Sequence, residues 1–288
     1  MKVVTKIMQF SDIDFVIIGA AKSATTWLQL QLQADPAVYM PDPELHYFSR
    51  EYEKGDNWYL SHFSDEGIGK TVGEKSNSYL YEPASAERLY EALPHAKLIA
   101  QLRNPVERAY SNYCMQFRRG NISADIESEL DPSVSENFRF HIAGQFATHL
   151  QKYVDFYGRE KLLILFFEGV KQDPEAQMAK VHAHLGLPPR DLAPVKRDKV
   201  KDKAAPMVTP GLRKSLGWMK PLVAPLRGSA AFEAVRGSVA KKVEYPEMTE
   251  DLRDRLNDYF APSIEALEEM SGQSLKHWYK STAKAERA

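Results

Sequence analysis

The sequence contains little of what marks several specialised classes of protein. Only one of its 288 residues is a cysteine, Cys114, which excludes an internal disulfide and is typical of a reducing compartment. The 38 lysine and arginine residues are balanced by 39 acidic residues, so no strong positive field favours nucleic acid as a partner. No apolar run approaches the roughly 20 residues that cross a bilayer. We therefore expect a cytoplasmic protein with no integral membrane segment and no nucleic-acid partner.

Short apolar runs alternate with longer helical segments along the chain. This order is typical of a parallel sheet covered by helices on both faces. The predicted strands are Asp14–Ile18, Lys97–Leu102 and Leu162–Phe167, with weaker candidates at Val38–Met40 and Thr71–Gly73. The predicted helices are Thr25–Ala34, Ala84–Leu93, Pro105–Arg119, Phe138–Tyr157, Pro174–Leu185 and Thr249–Glu269, which Pro262 should kink. We predict an α/β fold in a single domain over residues 1–288, with a helical C-terminal extension at about 245–288.

One turn carries more functional information than the rest of the sequence. The first strand breaks at Gly19, and the next helix begins near Thr25. Free N–H groups at a helix N-terminus stabilise an anion, and Lys22 adds a full positive charge beside the hydroxyls of Ser23, Thr25 and Thr26. A purely structural turn with a threonine N-cap is the alternative. We predict that this turn binds a phosphate-like group.

The turn differs from the common nucleoside-triphosphate loop. In that loop the lysine comes late, directly before the hydroxyl that meets magnesium, whereas Lys22 lies three residues after Gly19. A magnesium-binding aspartate is also expected at the end of a neighbouring strand, and the two best candidate strands are followed by Arg103 and Glu168. Both observations argue against a magnesium-dependent nucleotide hydrolase or kinase.

A second anion-binding element follows the strand Lys97–Leu102. Arg103 stands at the carboxyl end of this strand, the edge where open α/β sheets bind ligands. Ser111 lies two turns into the helix that Pro105 opens. A guanidinium and a hydroxyl suit a second phosphate, since arginine grips oxygen atoms in a fork. A structural salt bridge from Arg103 to Glu107 is the alternative.

Two shorter elements contain candidates for proton transfer and charge stabilisation. Glu44 and His46 lie two residues apart among prolines and aromatic residues, so either could act as a general base. Lys75 follows the short strand predicted at Thr71–Gly73. An exposed acid and an ion-paired lysine are the plainer interpretations of both elements.

A long basic segment interrupts the alternating pattern at about residues 188–216. It contains the five cations Lys196, Arg197, Lys199, Lys201 and Lys203. Long loops in compact domains often cover ligands, although a charge run is also typical of a solvated surface. The segment is a candidate cover for an anionic ligand.

Taken together and in order, these elements resemble the PAPS-dependent sulfotransferases, in particular heparan-sulfate-type enzymes and their bacterial relatives. Gly19–Leu28 (GAAKSATTWL) is similar to the family's donor loop, G-x-P-K-[SG]-G-T-[TR]-x-L. Pro43–Phe48 and Gly73–Ser76 match its K-E-x-H-[FY]-F and G-E-K-[ST] elements. Arg103–Tyr113 matches R-[ND]-P-x-x-R-A-x-S-x-Y. The resemblance covers most of the chain and implies a P-loop-like sheet.

Three residues depart from the family pattern. Ala21 replaces the usual proline and Ala24 the usual glycine of the donor loop, while Pro43 stands where a lysine is common. Alanine at position 24 costs little if its φ is negative, but it crowds a close approach of phosphate to the backbone. We expect binding to survive these changes.

The resemblance implies transfer of a sulfuryl group from 3′-phosphoadenosine-5′-phosphosulfate (PAPS) to a hydroxyl or amine of a carbohydrate or small-molecule acceptor, without a metal. Glu44 would be the general base, with His46 as its rival. Lys22, and then Lys75, would stabilise the leaving group, the product 3′,5′-ADP. Arg103 and Ser111 would bind the 3′-phosphate. The donor-binding residues implied are Gly19, Ala20, Lys22, Ser23, Ala24, Thr25, Thr26, Trp27, Arg103 and Ser111.

Two other functions remain compatible with the residues. One is a P-loop kinase that uses magnesium and ATP, and the other is a nucleotide-binding protein without catalytic activity. The acceptor is open as well: Tyr47, Phe48, Tyr79 and Tyr81 are candidates for an acceptor cleft or for the core.

Overall fold

The computed structural model describes residues 8–134, 139–191, 193 and 243–279. Most of the predicted basic segment at 188–216 lies outside the described residues. Two compact units divide the chain: Met1–Arg108 with Ile142–Val195 and Phe260–Ala288 form one, and Ala109–His141 with Lys196–Tyr259 form the other. The single domain over residues 1–288 stays a prediction.

The first unit is built on a five-stranded sheet in which every pair of neighbouring strands is parallel. This confirms the predicted α/β fold. The strands are β1 Phe15–Gly19, β2 Val38–Tyr39, β3 Thr71–Lys75, β4 Lys97–Leu102 and β5 Leu162–Phe166. Their order across the sheet is β2-β3-β1-β4-β5.

This strand order creates a switch point beside β1. The chain leaves β1 toward β2 and β3 on one side, and it later crosses to β4 and β5 on the other. In open parallel sheets the crevice at the carboxyl ends of the strands on either side of such a reversal is the usual ligand site. Here those ends are Gly19 of β1 and Leu102 of β4.

Helices of the first unit cover both faces of the sheet. The helices of the chain are α1 Thr25–Ala34, α2 Asp56–Leu60, α3 Ser85–Ala92, α4 Pro105–Arg119, α5 Ile126–Leu130, α6 Phe146–Tyr157, α7 Phe167–Gln172, α8 Pro174–Leu185 and α9 Glu250–Ser271. On one face Phe15, Ile17 and Ile99 pack in one buried cluster with side chains of α1 and α8. The alternate strand residues face the other way, and α6, which packs on α3 and β5, lies on that side.

Most predicted elements appear with bounds that differ by a few residues. The helices over Thr25–Ala34, Pro105–Arg119 and Pro174–Leu185 and the strand Lys97–Leu102 have the predicted bounds. Asp14 lies outside β1, which continues instead to Gly19.

The predicted helix Phe138–Tyr157 is too long. Its first residue lies outside the described residues, and α6 begins only at Phe146, after a 3₁₀ turn at Ile142–Gly144. A Cβ on Gly144 would stand 2.6 Å from the ring of Phe260. The ring of Phe260, which is far away in the sequence, thus packs directly against the backbone of Gly144. This contact holds the 3₁₀ turn in a segment whose local sequence favours an α-helix.

Gly73 in β3 faces the ring of Phe15, its register partner in β1. A Cβ on Gly73 would lie 2.4 Å from two ring carbons of Phe15, well inside van der Waals contact. The glycine therefore lets β3 pair with β1 beside a large aromatic side chain.

The C-terminal helical extension is present in α9, which contains Pro262. After it, the buried Trp278 accepts a hydrogen bond at its carbonyl from Asn104 Nδ2 (2.8 Å) and donates one from Nε1 to Glu168 (3.1 Å). These contacts anchor the end of the described chain to the residues that follow β4 and β5.

The second unit contains its own ion-pair cluster. Arg255 of α9 pairs with Glu127, Asp131 and Asp251, and its Nε lies 2.9 Å from Asp131 Oδ2. Cys114 is buried in this unit. Over the described part of the chain, no helix is both long enough and apolar enough to cross a membrane.

Candidate active site

Gly19 begins the predicted anion-binding turn in a conformation that excludes other residues. Its φ is +152°, and a Cβ there would stand 2.9 Å from Leu80 Cβ and 3.2 Å from the carbonyl oxygen of Asn77. Only glycine combines this backbone conformation with so close a neighbour. The turn is thereby fixed against the segment that follows β3.

Two non-glycine residues of the turn adopt the left-handed conformation. Lys22 has a φ of +73° and Ala24 a φ of +64°. The negative φ that would make alanine harmless at position 24 is therefore absent. A non-glycine residue in this region costs about 1–2 kcal/mol, which accounts for the glycine that the family's loop has at this position.

The turn leads directly into α1 without a side-chain cap. Ala24 occupies the N-cap position, and its carbonyl accepts from Leu28 N at 3.2 Å. The alternative of a threonine N-cap is thus wrong, because the threonines at 25 and 26 lie inside the helix. The first N–H groups of a helix have no intrahelical acceptor and suit an anion.

Gln101 of β4 holds the turn from the neighbouring strand. Its carbonyl accepts from Ala20 N (2.8 Å), and its Nε2 donates to the carbonyl of Ser23 (2.9 Å). The Ser23 hydroxyl is fully buried and has no hydrogen-bond partner among the described residues. The loop therefore contains a buried hydroxyl donor that the described residues do not satisfy.

The remaining loop residues differ in exposure. Thr25 is buried and Thr26 is exposed, while Trp27 packs against the core cluster of α1 and α8. Trp27 thus has a structural role in addition to its predicted contact with the donor.

Glu44 is held by two residues at the end of β3. Lys75 Nζ lies 2.9 Å from Glu44 Oε1, and Asn77 donates to the same carboxylate from its backbone N (3.2 Å) and its Nδ2 (3.0 Å). Lys75 is almost completely buried, with 3% of its side chain exposed, whereas 27% of Glu44 is exposed. The carboxylate is oriented by these donors and still accessible.

His46 is occupied by local contacts. Its Nδ1 lies 2.6 Å from Ser78 Oγ, and its Nε2 lies 3.5 Å from Glu44 Oε2. Burial, together with the nearby Arg50, lowers the pKa of His46, although Glu44 opposes this shift. A ring already hydrogen-bonded at one nitrogen is a weaker candidate for the base than the accessible Glu44.

Sequence reasoning assigned no role to Glu74, which is completely buried in β3. Its Oε1 accepts from Tyr79 (2.7 Å) and Tyr59 (3.4 Å), and its Oε2 accepts from Ser76 Oγ (2.8 Å). Burial raises the pKa of Glu74 to about 7, although these hydroxyl donors partly offset it. Its position in the sequence, directly after the predicted strand Thr71–Gly73 and directly before Lys75, could have marked Glu74 as a residue near the site.

The turn and the Glu44 cluster are neighbours at the same sheet edge. Ser76 N donates to the carbonyl of Ile17 (3.0 Å), and Leu80 N donates to that of Ile18 (2.9 Å). The chain after β3 thus follows the end of β1 into the turn. Asn77, which binds Glu44 together with Lys75, also lies against Gly19, and the predicted roles of these residues stay predictions.

Arg103 lies at the carboxyl end of β4, on the other side of the switch point. Its Nη2 is 3.5 Å from Glu107 Oε2, and its guanidinium carbon is 4.7 Å from the centre of the Phe167 ring. The structural salt bridge considered from the sequence is therefore present. A weak pair of this length leaves the guanidinium able to exchange Glu107 for a stronger anion.

Arg108 and Ser111 follow in α4. Arg108 is buried, and burial lowers its pKa to about 10. Ser111 is also buried and belongs to the second unit. The predicted contact of Ser111 with a 3′-phosphate stays a prediction.

The aromatic residues considered for an acceptor cleft are mainly core. Tyr47, Phe48 and Tyr79 expose 2% or less of their surface, and Tyr81 is half-buried. Among the described residues, no group of three or more His, Cys, Asp or Glu side chains is arranged for a metal ion.

Comparison with known proteins gives consistent matches. A family model for the sulfotransferase domain matches residues 12–274. The human bifunctional heparan sulfate N-deacetylase/N-sulfotransferase 2 is 32% identical over 195 residues, which are 61% of this chain and 22% of that protein. Human heparan sulfate glucosamine 3-O-sulfotransferase 6 is 26% identical over 272 residues, covering 90% of this chain and 71% of that protein.

A solved structure agrees with these matches. The crystal structure of a sulfotransferase from Alicyclobacillus acidocaldarius superposes with a TM-score of 0.66 at 26% identity, covering 93% of this chain and 99% of that one. The chain spans about a fifth of the length of the N-deacetylase/N-sulfotransferase relatives that it matches. Because the family model covers most of its length, the chain belongs to the sulfotransferase domain family.

Proposed function

We propose that this sulfotransferase moves a sulfuryl group from PAPS to a hydroxyl or amine of a carbohydrate or small-molecule acceptor, with Glu44 as the general base. The observation that carries the proposal is the accessible Glu44 carboxylate, held by Lys75 and Asn77 beside the Gly19 turn. A base at this place can take a proton from a nucleophile that approaches a group bound in the turn.

The turn fits the 5′-phosphosulfate of the donor. The N–H groups at the start of α1, the cation of Lys22 and the buried hydroxyl of Ser23 are donors of the type that binds oxyanions. Arg103, across the switch point, is the residue we assign to the 3′-phosphate. That phosphate distinguishes PAPS from ATP.

The reaction follows from this arrangement. The acceptor oxygen or nitrogen attacks sulfur in line as the bond from sulfur to the bridging phosphate oxygen breaks. Glu44 takes the acceptor's proton, and negative charge develops on the 5′-phosphate of the departing 3′,5′-ADP. Lys22 and the α1 N–H groups stabilise that charge because they are in place before it forms.

Two measurements test the proposal. Calorimetry should give tighter binding of 3′,5′-ADP than of ATP with magnesium, and tighter magnesium-dependent ATP binding would favour the kinase alternative. Transfer of labelled sulfate from PAPS should then be followed to a glucosaminyl oligosaccharide with free amino and hydroxyl groups and to a phenol. We choose the first acceptor because relatives of the chain are heparan sulfate sulfotransferases.

A further inference from the structure

A buried hydrogen-bond chain connects Glu74 to the segment that carries Glu44. Hydroxyl groups of Tyr79, Tyr59 and Ser76 donate to Glu74, and no basic side chain of the described residues hydrogen-bonds to it. Burying a carboxyl group is costly, and an apolar residue would fill the same space at less cost. Packing alone therefore does not explain a glutamate at position 74.

Ser76 connects the Glu74 carboxylate to the backbone N–H of His46 through two hydrogen bonds. The single hydroxyl hydrogen of Ser76 is directed at Glu74 Oε2 (2.8 Å), which leaves the lone pairs of Oγ for another donor. His46 N is that donor, at 2.8 Å from the same Oγ. Glu74 therefore sets the direction in which Ser76 can accept.

His46 needs such support because its backbone is strained. Its φ is +53°, a left-handed conformation that non-glycine residues adopt at a cost. The carbonyl of His46 accepts from Ser49 N (3.2 Å), Ser49 Oγ (3.0 Å) and Glu51 N (3.1 Å). The residue is thus held on both sides, by Ser76 before it and by its own turn after it.

The same strand end holds both the backbone at His46 and the side chain of Glu44. Ser76 binds His46 N, and its two neighbours, Lys75 and Asn77, bind the Glu44 carboxylate. The angle of the Glu44 side chain toward Lys75 therefore depends on the position of His46, two residues later.

We propose that Glu74 and Ser76 are positioning residues, which hold the strained turn at His46 so that Glu44 faces Lys75 and the donor turn. This inference rests on the proposed role of Glu44 as the base. It assigns no contact with substrate to either residue.

The test compares Ser76→Ala with Ser85→Ala. Ser85 is an equally buried serine whose Oγ donates to a backbone carbonyl, that of Phe48 (2.9 Å), whereas Ser76 Oγ donates to the Glu74 carboxylate itself. The first measurement is the ring titration of His46 by NMR. Glu44 raises the pKa of His46, whereas burial, Arg50 and Lys75 lower it.

We expect Ser76→Ala to move the His46 titration to lower pH, because Glu44 leaves the ring, and to expose the His46 amide to faster hydrogen exchange. Sulfate transfer from PAPS to the glucosaminyl oligosaccharide should fall at least about ten-fold in kcat, while the Kd for 3′,5′-ADP stays within about two-fold. Ser76→Thr, which keeps the hydroxyl, should recover the titration, and Ser85→Ala should leave it unchanged.

The outcome separates this inference from the proposed function. A Ser76→Ala protein whose His46 titrates as in the wild type overturns the positioning role. A Glu44→Gln protein with full transfer activity overturns the base assignment, whatever Ser76→Ala does. If the His46 titration shifts equally in Ser76→Ala and Ser85→Ala, Ser76 contributes only to packing, and the inference is also overturned.

Discussion

Lys75 Nζ lies 2.9 Å from Glu44 Oε1, although the two residues are 31 positions apart in the sequence. The ammonium group is buried and the carboxylate is partly exposed, so solvent reaches the pair from the side of the acid. In the proposed reaction Glu44 accepts a proton, and its attraction for Lys75 then weakens. The buried cation would become available to the negative charge that the same reaction develops.

Replacing Glu44 by glutamine should abolish transfer while donor binding persists. Loss of a general base costs about 10²–10⁴-fold in rate. The variant also leaves Lys75 without its anion, so we expect a decrease of about 1–3 kcal/mol in the free energy of unfolding. Rates with labelled PAPS, calorimetry with 3′,5′-ADP and urea unfolding measure the three effects.

The control for this variant is Glu51→Gln, which removes a neighbouring acid paired with Lys54. It should leave the rate of transfer within about two-fold. An active Glu44→Gln protein would disprove the base assignment.

Replacing Arg103 by alanine should weaken the binding of 3′,5′-ADP more than the binding of a nucleotide without a 3′-phosphate. A charge-assisted hydrogen bond contributes about 1.5–3 kcal/mol, or roughly ten- to a hundred-fold in Kd. Adenosine 5′-phosphosulfate, which lacks the 3′-phosphate, should lose much less affinity. Arg50→Ala, which removes a largely exposed arginine paired with Glu51, is the control. Equal losses for both nucleotides in Arg103→Ala would show that this residue does not recognise the 3′-phosphate.

Replacing Ala24 by glycine should stabilise the protein. The φ of +64° at Ala24 is unfavourable for alanine and open to glycine, so relief of about 1 kcal/mol is expected in urea unfolding. Ala21→Gly is the matched change in the same loop. Because Ala21 has no positive φ, glycine there should destabilise by about 0.5–1 kcal/mol. The hypothesis fails if both variants shift stability in the same direction.

Glu74 should make stability depend on pH between about 4.5 and 7. Burial raises its pKa in the folded protein to about 7 from the ordinary 4.5, with Glu44 adding to the shift and the hydroxyls of Tyr79, Ser76 and Tyr59 opposing it. The folded state therefore binds more protons than the unfolded state in this window. The stabilisation is full below pH 4.5 and is lost as the pH rises through 7.

The change attributable to Glu74 is about 3 kcal/mol across this window. In Glu74→Gln the side chain does not titrate, so stability relative to the wild type should rise with pH over the same range. Urea unfolding of both proteins from pH 4.5 to 8 measures the difference. Parallel curves would contradict the raised pKa of Glu74.

The sequence sufficed for those parts of the fold in which local signals and tertiary packing agree. The strand Lys97–Leu102 is a plain apolar run, and α4 and α8 begin at prolines, which suit the first helical position. β3 is longer than predicted because it ends in two charged residues. The burial of Glu74 is possible because the hydroxyls of Tyr79, Tyr59 and Ser76 donate to it, and that of Lys75 because it pairs with Glu44.

The candidate site shows the same division. The turn at Gly19 and the arginine at Arg103 are predictable from residue type and position at strand ends, and Glu44 is a candidate because it lies near His46 among prolines and aromatic residues. The left-handed φ values at Lys22, Ala24 and His46 do not, because they depend on contacts between segments far apart in the chain. The role of Ser76 is likewise visible only when its two hydrogen-bond partners are known.

The packing of Gly73 against Phe15 has a consequence for how sequences of this type can vary. There is no room for a Cβ at position 73 beside that ring. The side chains at positions 15 and 73, on neighbouring strands, therefore compete for the same space. A larger residue at 73 requires a smaller one at 15, so the two positions should co-vary among relatives. The packing of the neighbouring aromatic ring is then sufficient to explain the glycine of the G-E-K-[ST] element.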